Sequence, residues 1–185
     1  KFDQWPQSKL SYRQLFQTHL DIDPFSADKQ ALAALAKRHG IDDMDMGRKQ
    51  WLDLLISFVI QPALAEESLT FVYDFPVDQA ALARIRPTTP PLAERFELYL
   101  GRVELANGYQ ELTDATEQHR RFDAENELRE QAGADRCEVD QHLLAALAHG
   151  LPDCSGVALG VDRLLMAICN AATLDEVMAF PFSRA

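Results

Sequence analysis

The chain has 185 residues, 47% of them hydrophobic, and a net charge of −11, enough apolar material for one compact core and a length that fits one domain or part of a larger one. The acidic balance argues against a stand-alone nucleic-acid platform, because phosphate backbones reward clustered Lys and Arg. Three cysteines (Cys137, Cys154, Cys169) without C-x-x-C spacing argue against a disulfide framework or a zinc centre, and no signal peptide or transmembrane run appears, so the cytoplasm is the expected compartment.

In chain order, residues 11–20 place Tyr12, Leu15, Phe16 and Leu20 at helical spacing, closed by Asp23-Pro24. Residues 28–39 repeat the pattern with Leu32, Leu35 and Ala36 and stop at Gly40. A third helix is expected over 49–60, and the three together read as a helical segment, about 11–60, packed beside a sheet. Residues 69–74 read as a strand, followed by loops at Pro76 and Pro87–Pro91. Strands over 95–100 and 103–110 are joined through Gly101 in a tight hairpin. Thr113 or Asp114 then caps a charged helix to about Gln131, with Asp114 and Glu117 at capping-box spacing. A helix over 139–149, a strand over 156–159 and a helix over 161–171 follow; the last is expected to bury Val161, Leu164, Leu165 and Ile168.

Two segments carry chemistry: RFELYLGRVELANGYQELTD (95–114) and LPDCSGVALGVDRLLM (151–166). Glu104 and Glu111 are seven apart, so an unbroken strand puts them on opposite faces; Gly108, in the Asn107-Gly108 pair, is the expected place for a bulge that reunites them. The bland alternative is two solvated carboxylates, and Tyr109 alone reads as a half-buried strand aromatic. In the second segment a strand ends at Gly160 and enters a helix with Asp162-Arg163 in its first turn, a natural place for a phosphate. Paired acids and such an arginine point to nucleotide chemistry with magnesium. The five histidines show no metal-ligand spacing.

The stretches ELANGYQEL and ALGVDRLLM resemble the lysyl type of class II aminoacyl-tRNA synthetase, the second resembling motif 3, and the likeness extends over nearly the whole chain. It implies an α+β fold, an antiparallel sheet flanked by helices, with residues 1–185 forming the C-terminal portion of one catalytic domain and the motif 3 core at about 69–185. Motifs 1 and 2 have no counterpart, so a fragment is expected, inactive alone. The resemblance further implies ATP and Mg2+. Glu104 and Glu111 would be metal ligands; Glu104, Leu105, Gly160 and Arg163 would bind ATP; Glu104 and Arg163 would be catalytic. Asn107, Tyr109, Glu111 and Ala158 would bind the amino acid, with Glu111 on the ε-ammonium and Tyr109 over the aliphatic stem. Within the family, the segment is most similar to lysyl-tRNA synthetase paralogues that modify elongation factor P. Ala158 stands where the tRNA-charging enzymes have a glycine, which points to β-lysine, since one methyl in a pocket shifts discrimination by about 1–3 kcal/mol. The expected activity is ATP-dependent activation of lysine or β-lysine and its transfer to a lysine of elongation factor P, by a homodimer in the complete protein. Alternatives are a lysyl-tRNA synthetase charging tRNA, which the acidic charge makes the poorer partner, and a non-catalytic synthetase-like domain.

Overall fold

A computed structural model describes residues 2–42 and 45–184. Six strands form one sheet in the order β1 (Gln7–Ser11), β2 (Leu69–Pro76), β4 (Leu92–Leu100), β5 (Val103–Gln110), β6 (Ser155–Leu159), with the short β3 (Ile85–Arg86) paired to β4. Every pairing is antiparallel except β1 with β2, which is parallel. The mixed α/β architecture agrees with the expected class. β1 and β3 were not anticipated: their sequences, QSKLS and IR, carry no alternation, and only pairing with a distant strand makes them strands.

Helices α1 (Tyr12–Leu20), α2 (Lys29–Arg38) and α3 (Arg48–Leu55) pack on the β2 side of the sheet. Ser11 closes β1 and also caps α1, its Oγ accepting from Gln14 N–H while Gln14 Oε1 accepts from the Ser11 N–H at 2.8 Å. Tyr12, Leu15, Phe16, Leu32, Trp51, Leu52 and Leu55 are wholly buried against Val72 and Phe75. The Tyr12 ring stacks on Phe16 at 4.8 Å and meets Phe75 at 4.9 Å, tying the helices to the sheet.

The expected helix over 49–60 changes register: α3 ends at Leu55, a π-helical turn occupies Ile56–Ile60, and α4 (Gln61–Ala63) follows. The apolar pattern reports which side chains are buried, not whether a carbonyl bonds four or five residues ahead. Asp114, not Thr113, caps α5 (Ala115–Gln131), accepting from the Thr116 and Glu117 N–H groups. Glu117 does not complete a capping box. Its carboxylate pairs with Arg120 and Arg121, whose hydrogen bonds hold its pKa down to about 2. α6 (Gln141–His149) starts two residues later than expected, capped by Asp140.

α7 (Val161–Cys169) departs most from expectation. Val161 is 69% exposed and Ile168 53%, and none of its residues is buried. The stripe is amphipathic as read, but no described element lies over it; periodicity says that a face needs cover, not what covers it.

Gly101 sets the β4–β5 hairpin. Its φ is +57°, its N–H donates to Ser68 O at 2.8 Å, and a Cβ there would press on the Glu66 backbone. Gly101→Ala is therefore expected to lower stability by about 1–2 kcal/mol from the left-handed backbone alone, with the steric clash in addition; urea unfolding should show a lower midpoint at an unchanged slope.

Candidate active site on the β4–β6 surface

The strand register decides which side chains can meet one ligand. β5 pairs with β4 as Tyr109 opposite Arg95, Asn107 opposite Glu97 and Ala106 opposite Leu98, then shifts so that Glu104 lies opposite Tyr99. Leu105 is thus the extra residue of a β-bulge. The bulge brings Glu104 onto the face that carries Asn107, Tyr109 and Glu111. The expectation of irregularity holds, but its place was misread: Gly108 lies in regular register, opposite Phe96, and is glycine because a Cβ would collide with that ring and stand 2.9 Å from Gly156 O.

The β6–α7 junction bonds the carbonyls of both residues at the bulge. Gly160 N–H donates to Leu105 O at 2.8 Å, and Arg163 Nη1 donates to Glu104 O at 2.7 Å. Leu105 is buried; Arg163 is exposed. A Cβ on Gly160 would stand 3.3 Å from Arg163 Cδ, so glycine leaves the arginine its path back across the strand. Asp162 lies exposed in the first turn of α7 and makes no hydrogen bond among the described residues.

β6 completes the surface. Ala158 pairs with Asn107 and Gly156 with Tyr109, so both lie on the same face as the acids. Gly156 makes room for protein rather than ligand: a Cβ there would collide with Glu111 Oε1. The loop before β6 is held by Asp153, which accepts from Gln110 Nε2 at 2.7 Å and Arg84 Nη1 at 3.0 Å. Cys154 is half-buried, and its carbonyl accepts the Glu111 N–H at 3.0 Å, a structural role.

One face of β4–β6 joins Glu104, Asn107, Tyr109, Glu111 and Ala158, with Gly160 and Arg163 at its end, whereas the buried Leu105 side chain lines a separate cavity with Leu100, Val103, Arg163 and Met166; the shared face also separates the two expected metal ligands. Glu104 and Glu111 stand about 20 Å apart along β5 at roughly 3.3 Å per residue, while Mg2+ bonds its oxygens at about 2.1 Å. One ion cannot be shared by both. Sequence reading missed the carboxylate that does lie beside Glu104. Glu97 lines the same cavity of about 230 Å³, together with Asp53, Gln79, Arg95 and Tyr99. Its period-two spacing to Tyr99 and Arg95 was visible, but its register with Asn107 was not.

Glu97 is buried, and Arg95 Nη2 and the Tyr99 hydroxyl each donate to it at 2.6 Å. Burial pushes its pKa above the ordinary 4.5, opposed by Arg95 and by the Tyr99 hydrogen bond; burial beside Glu97 in turn drives the Tyr99 pKa far up. Glu104 and Glu111 differ. Both are half-buried, and among the described residues neither carboxylate has a hydrogen bond or ion pair. Partly desolvated carboxylates without partners are costly unless something positive arrives. Glu104 beside Glu97 offers the all-oxygen donors that Mg2+ takes; Glu111, alone beside the Tyr109 ring, suits an ammonium.

A profile of the class II tRNA synthetases (D, K and N) matches residues 6–184. The chain belongs to this family. Among curated proteins it is 50% identical to "Elongation factor P--(R)-beta-lysine ligase" of Edwardsiella ictaluri over 179 residues, covering 95% of this chain and 55% of that protein. It is 48% identical over 183 residues to the protein of the same name in Klebsiella pneumoniae, covering 97% and 56%. The chain thus spans a little over half the length of these class II relatives. No described helix is long and apolar enough to cross a membrane.

Because the folded-state pKa of Glu97 lies above its unfolded value, the stability it contributes is fully present below the unfolded pKa and is lost as pH rises through the folded one. Tyr99→Phe removes a donor to the charged form. Carbon-detected NMR titration of the Glu97 carboxyl is expected to give a higher midpoint in the variant than in the native protein.

Proposed function

We propose that this chain forms the amino-acid and magnesium-nucleotide surface of an ATP-dependent ligase that activates β-lysine, or lysine, and transfers it to a lysine side chain of elongation factor P. The observation that carries the reading is the pair of partnerless, half-buried acids at the two ends of one strand face. Between them lie Asn107, Tyr109 and Ala158, a polar group, a flat ring and a small side chain in one row, which fits a long cationic amino acid laid along β5.

Glu111 takes the ε-ammonium, Tyr109 covers the methylene stem, and Asn107 meets the carboxylate end. Glu104 and Glu97 would hold Mg2+, which supplies charge neutralisation on the ATP phosphates. Arg163, fixed by its bond to the Glu104 carbonyl, projects from the first turn of α7 towards developing phosphate charge. The reaction needs no protein nucleophile: the carboxylate of the bound amino acid attacks the α-phosphorus and pyrophosphate leaves, then the neutral acceptor amine attacks the carbonyl of the aminoacyl-adenylate, forming the amide as AMP leaves and the amine gives up a proton. The names of the relatives support elongation factor P as acceptor and (R)-β-lysine as substrate. A homodimer and a cytoplasmic location complete the proposal.

The test uses the protein at its full cellular length with ATP, radiolabelled β-lysine or lysine, and elongation factor P and tRNA as parallel acceptors. Label on elongation factor P alone is expected. Label on tRNA would make it a lysyl-tRNA synthetase, and no label on either a non-catalytic domain. Glu111→Gln should raise KM for the amino acid about 10- to 100-fold with little change in KM for ATP, the loss of one charge-assisted bond. Ala158→Gly should change the β-lysine to lysine ratio of kcat/KM by about tenfold.

A further inference from the structure

Arg95 on β4 belongs to none of the roles assigned above, yet it reaches Asn107, Tyr109 and Glu97 at once. Its side chain is 16% exposed. Nε donates to Asn107 Oδ1 at 3.2 Å, Nη1 to Gln79 O at 2.7 Å, and Nη2 to Glu97 Oε1 at 2.6 Å. The guanidinium carbon lies 4.5 Å from the centre of the Phe75 ring and 6.0 Å from that of Tyr109. A planar group held by three acceptors and two rings has one orientation, unlike a lysine ammonium at the same place.

We infer that Arg95 is a positioning residue that fixes the amide of Asn107 with its NH2 turned to the ligand, so that the site accepts a carboxylate at that point. Given the proposed amino-acid site, the donors and acceptors present decide the orientation of the amide. An arginine can only donate, so the face of Asn107 towards it must be Oδ1; the two N–H donors are then left for the other side. An asparagine free to flip would offer a bound carboxylate an oxygen half the time. Glu97, opposite Asn107 on β4, neutralises the arginine, which is thereby kept as a donor array rather than a free cation competing for the substrate.

The consequence is selective. Ligand carboxylate recognition depends on Arg95, whereas recognition of the ε-ammonium, at Glu111, does not. Lysine and 1,5-diaminopentane, which keeps the ammonium and stem but lacks the carboxylate, separate the two in calorimetric titrations of the full-length protein. Arg95→Lys is expected to weaken lysine binding about tenfold or more, the range for one hydrogen bond to a charged group, and to leave diaminopentane within twofold. Asn107→Asp, which keeps an acceptor for Arg95 but puts an oxygen towards the ligand, should do the same without disturbing the arginine. The double variant should be no weaker than Asn107→Asp alone, because Arg95 acts through that amide. Glu111→Gln should weaken both ligands.

Equal weakening of lysine and diaminopentane by Arg95→Lys, additive losses in the double variant, or unchanged lysine binding would overturn the role of Arg95 while the Glu111 result leaves the amino-acid site standing. A native protein that binds no lysine, or a Glu111→Gln variant that binds both ligands normally, would overturn the amino-acid site and this inference with it.

Discussion

One extra residue in β5 governs the site. A strand alternates its side chains, so without Leu105 the carboxylate of Glu104 would face away from Asn107, Tyr109 and Glu111. The bulge reverses that parity once. On the other side of the strand the Gly160 N–H bonds the Leu105 carbonyl in continuation of the β5–β6 register, and Arg163 takes the Glu104 carbonyl. The strand irregularity and the strand-to-helix junction thus meet at the same two residues, and an arginine that would otherwise sweep through solvent is held beside Glu104.

The polar side of the site has an apolar foundation. Trp51, Tyr12 and Phe16 pack the helices onto β2, and the same layer holds Phe75, whose ring lies under Arg95. From there hydrogen bonds run to Glu97 and Asn107. Helices α1 to α3, remote in sequence from the candidate site, therefore bear on its geometry through one ring and one guanidinium.

Much of this was legible in the sequence, and the limits are instructive. Helices α1, α2, α5 and α6 and the main strands follow from periodicity and caps, since those signals are local. The edge strand β1 was not legible, because polar residues become a strand only when β2 offers its edge. That Glu104 and Glu111 needed an irregularity could be computed from their spacing; that it falls at Leu105 depends on the partner strand and on Gly160. Arg95 and Glu97 escaped for a related reason. Their importance comes from cross-strand neighbours, Tyr109 and Asn107, and register is not written in either strand alone.

The outer margin of the sheet has its own consequence for the molecule's behaviour in solution. β6 is paired on one side, with β5; among the described residues its other edge meets no strand, and Val157, Leu159 and the α7 stripe lie open around it. Such an edge is a template for another extended segment. Folding of the chain is first order, whereas capture of a second chain by this edge is second order, so dilution slows the capture and leaves folding unchanged.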